Sequence, residues 1–158
     1  MSTTTHAQTR APARTVRVLA VLVIVAGLIL AAAGVATWIV VQTQLADEQI
    51  TVSDDADNFA GQPVDGPLTA YAEANVIEKH ALEASGGATY AELDREDPTR
   101  ETVMDASFLR ASLFTSVVSF GVAAMAFGLG IVLVLIGWAL LSMAKSLSHA
   151  VAFESRTS

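Results

Sequence analysis

The 158 residues contain no cysteine. That excludes a disulfide framework, a cysteine zinc site, a thiol nucleophile and an iron–sulfur cluster. Aromatic residues are scarce at 6%, and charged residues make up 16%, against about 25% in an ordinary soluble domain. Positive charge is the scarcer sign: 9 Lys and Arg face 16 Asp and Glu, a formal net charge of −7. A nucleic-acid binder needs a basic face to neutralise phosphates, so nucleic acid is excluded as a partner. Gly-x-Ser-x-Gly, a Gly-rich phosphate loop and His-Glu-x-x-His are all missing, which leaves hydroxyl nucleophiles, nucleotide binding and zinc proteolysis without a recognisable setting. What the chain has in quantity is apolar residues, 53% of the total, far too many for disorder.

Charge is absent from two long runs. Val18–Val41 carries Thr37 as its only non-aromatic polar side chain, and Ala111–Ala144 carries no charge over 34 residues. A bilayer core takes about 20 apolar residues as helix. In hydrocarbon only a helix or a closed barrel satisfies its own backbone, and two segments cannot close a barrel. Both runs are therefore expected to be transmembrane helices. The second exceeds what a membrane requires, and Ser112, Thr115, Ser116 and Ser119 mark its first third as protruding or packed on the first helix, with Val117–Leu141 in lipid. Trp38 and Trp138 lie near span ends, the usual belt position. A cleaved signal peptide is the rival for the first run, with Arg10, Arg14 and Arg17 as a basic region and Ala31-Ala32-Ala33 as an A-x-A-like site. The apolar run continues through Gly34 to Val41 without a polar break, so retention is expected.

Charge also sets the expected orientation. The tail 1–17 holds three arginines and no acid, the segment 42–110 holds 15 acids against four basic residues, and 145–158 is nearly neutral. Basic residues near span ends stay inside. The expectation is an all-α membrane protein: a cytoplasmic tail 1–17, spans 18–41 and 111–144 in a hairpin, an acidic helical extracytoplasmic domain 42–110, and a cytoplasmic tail 145–158 at the plasma membrane.

Within 42–110, Gln49–Ser53 reads as extended, and Asp54–Gly66, with Gly61, Pro63 and Gly66, reads as loop. Pro67 followed by Leu68, Tyr71, Ala72, Val76, Lys79 and Leu82 predicts a helix, closed by Gly86-Gly87. Thr89-Tyr-Ala-Glu92 is a capping-box pattern that predicts a second short helix. Asp97-Pro98 is a helix start, so the second span is expected to begin near Pro98 as a stalk. This small domain has a marginal core and depends on the stalk, the membrane surface or a partner.

Candidate chemistry is sparse. Asp54, Asp55 and Asp57 lack the alternating oxygens, central Gly and distal Glu of a calcium loop, and read as a solvated acidic turn. His80, near Glu73 and Glu83, is too few ligands for zinc, and His6 and His149 fall on the other side of the membrane. No catalytic residue, cofactor or metal site is expected, and no small-molecule substrate can be named. The remaining signal is small residues, which let helix backbones approach in lipid. Ala20, Gly27 and Gly34 recur every seven residues, as do Gly121 and Gly128, and Gly130 and Gly137, while Ala124 and Gly128 form a small-xxx-small pair. The expected helix-packing residues are Gly27, Gly34, Gly121, Ala124, Gly128, Gly130 and Gly137, serving either the chain's own hairpin or a partner helix.

Three stretches carry a resemblance: Gln44-Leu-Ala-Asp-Glu-Gln-Ile-Thr-Val-Ser-Asp-Asp, His80-Ala-Leu-Glu-Ala-Ser-Gly-Gly-Ala-Thr-Tyr-Ala-Glu-Leu-Asp-Arg-Glu-Asp-Pro, and Ala106-Ser-Phe-Leu-Arg-Ala-Ser-Leu-Phe-Thr-Ser-Val-Val. Over roughly Arg14–Leu141 the chain resembles a family of small two-span membrane proteins of high-GC Gram-positive bacteria that carries the label "aromatic ring-opening dioxygenase LigA". The resemblance implies architecture. The label, read literally, implies a dioxygenase subunit, but non-haem iron wants two His and a carboxylate on one face, and 42–110 holds one His, so no catalytic residue carries over. The expected function is non-enzymatic, through contact with the bilayer and with another membrane protein or a second copy. The alternatives are a dioxygenase-type subunit and a small oligomeric channel with an acidic mouth.

Overall fold

The computed structural model describes residues 10–154, with side chains for 14–145. His6 lies outside the described residues, and so does the side chain of His149. The described residues form three helices, α1 (Arg10–Asp47), α2 (Pro67–Ala84) and α3 (Arg100–Glu154), and no strand beyond one isolated bridge, Thr51–Pro63.

Two of these helices, α1 and α3, are long and apolar enough to cross a membrane. Both outrun their charge-free cores, α1 starting at Arg10 and α3 at Arg100. Most of their apolar side chains are exposed, among them Leu19, Leu22, Ile29, Ile39, Val122, Leu135 and Trp138. The serines and threonines in the first third of α3's apolar run do not disturb it. Thr115, Ser116 and Ser119 each donate to the carbonyl four residues earlier, at 2.8, 3.3 and 2.8 Å. Such back-bonding satisfies a hydroxyl without water.

The chain divides into two units: residues up to Val35 with those from Met125, and Ala36–Ala124. The first unit is a pair of helix segments, in which Gly27 meets Gly130 and Val134, and Ala20 and Ile24 meet Gly137. As the residue number rises along α1 it falls along α3.

The second unit holds α2, the loops around it, the end of α1 and the start of α3. Its core is Leu45, Val52, Val64, Ala70, Ala74, Leu113 and Phe120. Trp38 meets Phe120 edge to face, centroids 4.7 Å apart. After α1, Gln49 turns the chain with a left-handed φ of 54°. The backbone then pairs with itself: Val52 N–H donates to Gln62 O at 2.9 Å and Val64 N–H to Ile50 O at 2.8 Å. This pairing buries Val52 and Val64 and closes the loop 53–61 into a lobe.

Pro67 opens α2, where its missing N–H is no loss. Gly86 and Gly87, at φ 67° and 93°, close it. Gly87 N–H reaches Leu82 O at 2.7 Å and Gly86 N–H reaches Glu83 O at 3.4 Å, which together satisfy the last carbonyls. The expected second short helix does not form. Thr89 N–H and Oγ1 both donate to Glu92 at 2.8 Å, while the Glu92 N–H goes to the Thr89 carbonyl at 3.0 Å and not to the hydroxyl, so only half of the capping box forms and only turns follow. Asp94, Glu96 and Asp97 supply no apolar stripe, and Asp97 already caps the next helix, accepting from Thr99 N–H at 2.8 Å and Thr99 Oγ1 at 2.6 Å. Arg100 covers the Tyr90 ring at 4.1 Å and donates to the Tyr90 and Leu93 carbonyls.

Candidate functional site

Two sets of residues have a geometry that could serve a function. The first is the glycine seam of the helix pair. A Cβ added to Gly27 would lie 2.7 Å from Gly130 O, and one added to Gly130 would lie 2.5 Å from Ala31 N. At Gly137 an added Cβ would lie 2.5 Å from Ile24 Cγ1 and 2.8 Å from Ala20 O. No side chain fits there, so the two backbones touch directly. Buried positions on α1 include Ala20, Gly27 and Gly34, and those on α3 include Ala123, Gly130, Gly137 and Ala144, each set at seven-residue steps. A repeat of seven keeps one face of a helix toward its neighbour along a shallow left-handed crossing.

The structure separates the glycine rows that spacing could not. Gly27, Gly130 and Gly137 come together, and Gly34 is buried. Gly121 and Gly128 have nothing within 4 Å of an added Cβ, and Ala124 is exposed with them. Ala123, one residue from the pair singled out by its spacing, is the buried member.

The second set lies in the Ala36–Ala124 unit around the lobe 53–61. Glu73 on α2 is buried and accepts Ser53 N–H at 2.7 Å and Ser53 Oγ at 3.1 Å, one bond to each carboxylate oxygen. Farther along α2, Lys79 Nζ and His80 Nε2 both lie 2.9 Å from the same Asp55 Oδ2. Hydrogen bonds from Lys79 and then His80 hold the Asp55 carboxyl down at about 2, and Asp55 in turn raises Lys79. Asp97 and Glu92 are also lowered, Asp97 by the Thr99 hydroxyl and then its backbone N–H, Glu92 by the Thr89 N–H and then its hydroxyl. No known protein family, curated protein or solved structure matches the chain.

Lobe and helix form an open cleft of about 290 Å³, with Phe59, Leu68, Tyr71 and Val76 as its large apolar walls and Asp55, Asp57, Asn58, Asn75 and Lys79 as its polar ones. Asp54 stands outside it. Phe59 holds a left-handed φ of 62°, an uncommon state for a bulky side chain. Among the described residues no three His, Asp or Glu side chains gather as a metal-binding group. His80 is half-exposed and engaged with Asp55, so the chemistry on display is charge pairing and apolar contact. Sequence reasoning missed Glu73 and the Asp55–Lys79–His80 cluster. Its only trace was an acidic turn preceding a helix that carries adjacent basic residues.

Proposed function

We propose that the chain is an integral membrane protein without enzymatic activity. Helices α1 and α3 cross the bilayer as an antiparallel hairpin, both termini in the cytoplasm and 42–110 outside. It acts through helix–helix contacts or through its outer domain, on another membrane protein or a second copy. The observation that carries this reading is the exposed apolar surface of α1 and α3, from Leu19 to Val40 and from Val118 to Met143. In water such a belt would be a severe aggregation liability. In lipid it is the expected exterior, with the small residues turned inward. The arginines at 10, 14 and 17 against the acidic 42–110 support the orientation. Asp55, Lys79, His80 and Glu73 support the non-enzymatic reading, since each is spent on holding lobe to helix.

The test uses the absence of native cysteine. Glu83→Cys should react with an impermeant maleimide on intact cells, and Thr157→Cys only after permeabilisation. The reverse pattern overturns the orientation, and extraction of the chain by alkaline carbonate overturns membrane integration. Tagged protein drawn from gently solubilised native membranes should carry a stoichiometric partner or a second copy. A lone monomer overturns the interaction role.

A further inference from the structure

Along α2 the exposed residues Leu68, Tyr71, Asn75 and Lys79 follow one another at three- and four-residue steps, so they share one face of the helix. The face is graded lengthwise. Its first two members are apolar, 65% and 50% exposed, and its last two are polar.

Contacts with α3 fix the direction of that gradient. Glu78 pairs with Arg110 at 2.7 Å, and Tyr71 meets Phe114 edge to face with centroids 5.8 Å apart. Arg110 is the last charge before the charge-free run of α3. Its guanidinium, paired with Glu78, also lies over the Phe114 ring at 5.1 Å. The start of α2 therefore descends past the last charge of α3, and Leu68 and Tyr71 stand level with residues that carry none. Phe59, also exposed and in its left-handed backbone state, lines the same cleft as Leu68 and Tyr71.

We infer that the edge formed by Phe59, Leu68 and Tyr71 rests in the interfacial layer of the bilayer, so that the outer domain lies on the lipid surface instead of standing clear of it. The inference rests on the membrane reading above. The lipid surface is the occupant because Tyr71 packs on Phe114, from which α3 runs on without a charge as far as Ala144, Val118 being exposed just beyond. Tyr suits that depth, with an apolar ring and a polar tip. Asn75, Lys79 and the Asp55–His80 pair lie at the far end of the gradient, where water remains.

The test takes the full chain in vesicles of phosphatidylcholine and phosphatidylglycerol, with one nitroxide label at a time on Leu68→Cys, Tyr71→Cys, Asn75→Cys and Val122→Cys. Collision with oxygen reports lipid and collision with an aqueous nickel chelate reports water. The expected result is Val122→Cys deep in lipid and Asn75→Cys in water. Leu68→Cys and Tyr71→Cys should lie about 5–10 Å into the headgroup boundary, with nickel collisions severalfold fewer than at Asn75→Cys. Labels at 68 and 71 as wet as the one at 75, with 122 in lipid, overturn the inference and leave the membrane reading standing. Water at 122 overturns the membrane reading itself. Dipolar broadening between labels at 68 or 71 of two copies assigns the edge to self-association and overturns the inference.

Discussion

The helix pair up to Val35 and from Met125 and the region Ala36–Ala124 solve the same problem with opposite means. The pair is held by what its side chains leave out. At Gly27, Gly130 and Gly137 the missing side chains let the two helices approach until a Cβ would meet the neighbour's backbone. The region Ala36–Ala124 is held by what its side chains put in: buried Val52, Val64 and Phe120, a buried carboxylate satisfied by Ser53, and an ion-paired cluster at the rim. The first arrangement tolerates no added atom and the second tolerates no missing one.

The largest expected effect breaks the first half of that comparison. Gly130→Leu should separate the helices, because the new Cβ meets the backbone of Ala31 and Gly27 and neither can yield locally. The loss should be about 3 kcal/mol or more, beyond ordinary overpacking, read from unfolding in mixed detergent micelles. Next comes a deletion in the second half. Glu73→Ala leaves the half-buried Ser53 N–H and hydroxyl without their partner, and should cost about 1–2 kcal/mol, read as faster hydrogen exchange at Ser53 and the neighbouring lobe.

A smaller effect follows acid. Asp55 is held at about 2, below its ordinary 3.8, and a carboxyl lowered by folding stabilises the fold above the unfolded value. That contribution should fade as pH falls from about 4 toward 2. On the alkaline side the raised Lys79 should lose its contribution as pH climbs through its own titration. Protease sensitivity of the lobe 53–61 should report both limbs, and Asp55→Asn should flatten the acid one. The smallest effect sharpens the contrast inside α3: Gly128→Leu, with open space around it, should leave micelle stability unchanged within about 0.5 kcal/mol. A loss as large as that of Gly130→Leu would show that the exposed row is also a packing face.

Much of this was legible in the sequence because it depends on near neighbours. Pro67 and Gly86-Gly87 bound α2 through their own backbone preferences, and Asp97 starts α3 by capping. The seven-residue steps of Ala20, Gly27 and Gly34 mark a packing row. Spacing alone did not tell Gly130 and Gly137 from Gly121 and Gly128, since a row's period says nothing of which side its neighbour occupies. Thr89 and Glu92 misled for a different reason: only one of the two local capping bonds forms, and a helix also needs a stripe to bury. Ser53–Glu73 and Asp55–Lys79 stayed hidden because the turn that brings them together is set by Val52 and Val64 packing on α2.

The fastenings of the lobe have a consequence for the order of events during synthesis. Ser53 and Glu73 are 20 residues apart, and Asp55 is 24 and 25 from Lys79 and His80. Loops this short close at small entropic expense, and helices and hairpins form within about 10 μs. A ribosome adds about 5–20 residues per second, so roughly 1–4 s separate the appearance of His80 from that of Arg100. The lobe and α2 thus have ample time to fasten while the second long helix is still unmade, and α3 is offered a surface already in place, to be completed by Leu113 and Phe120.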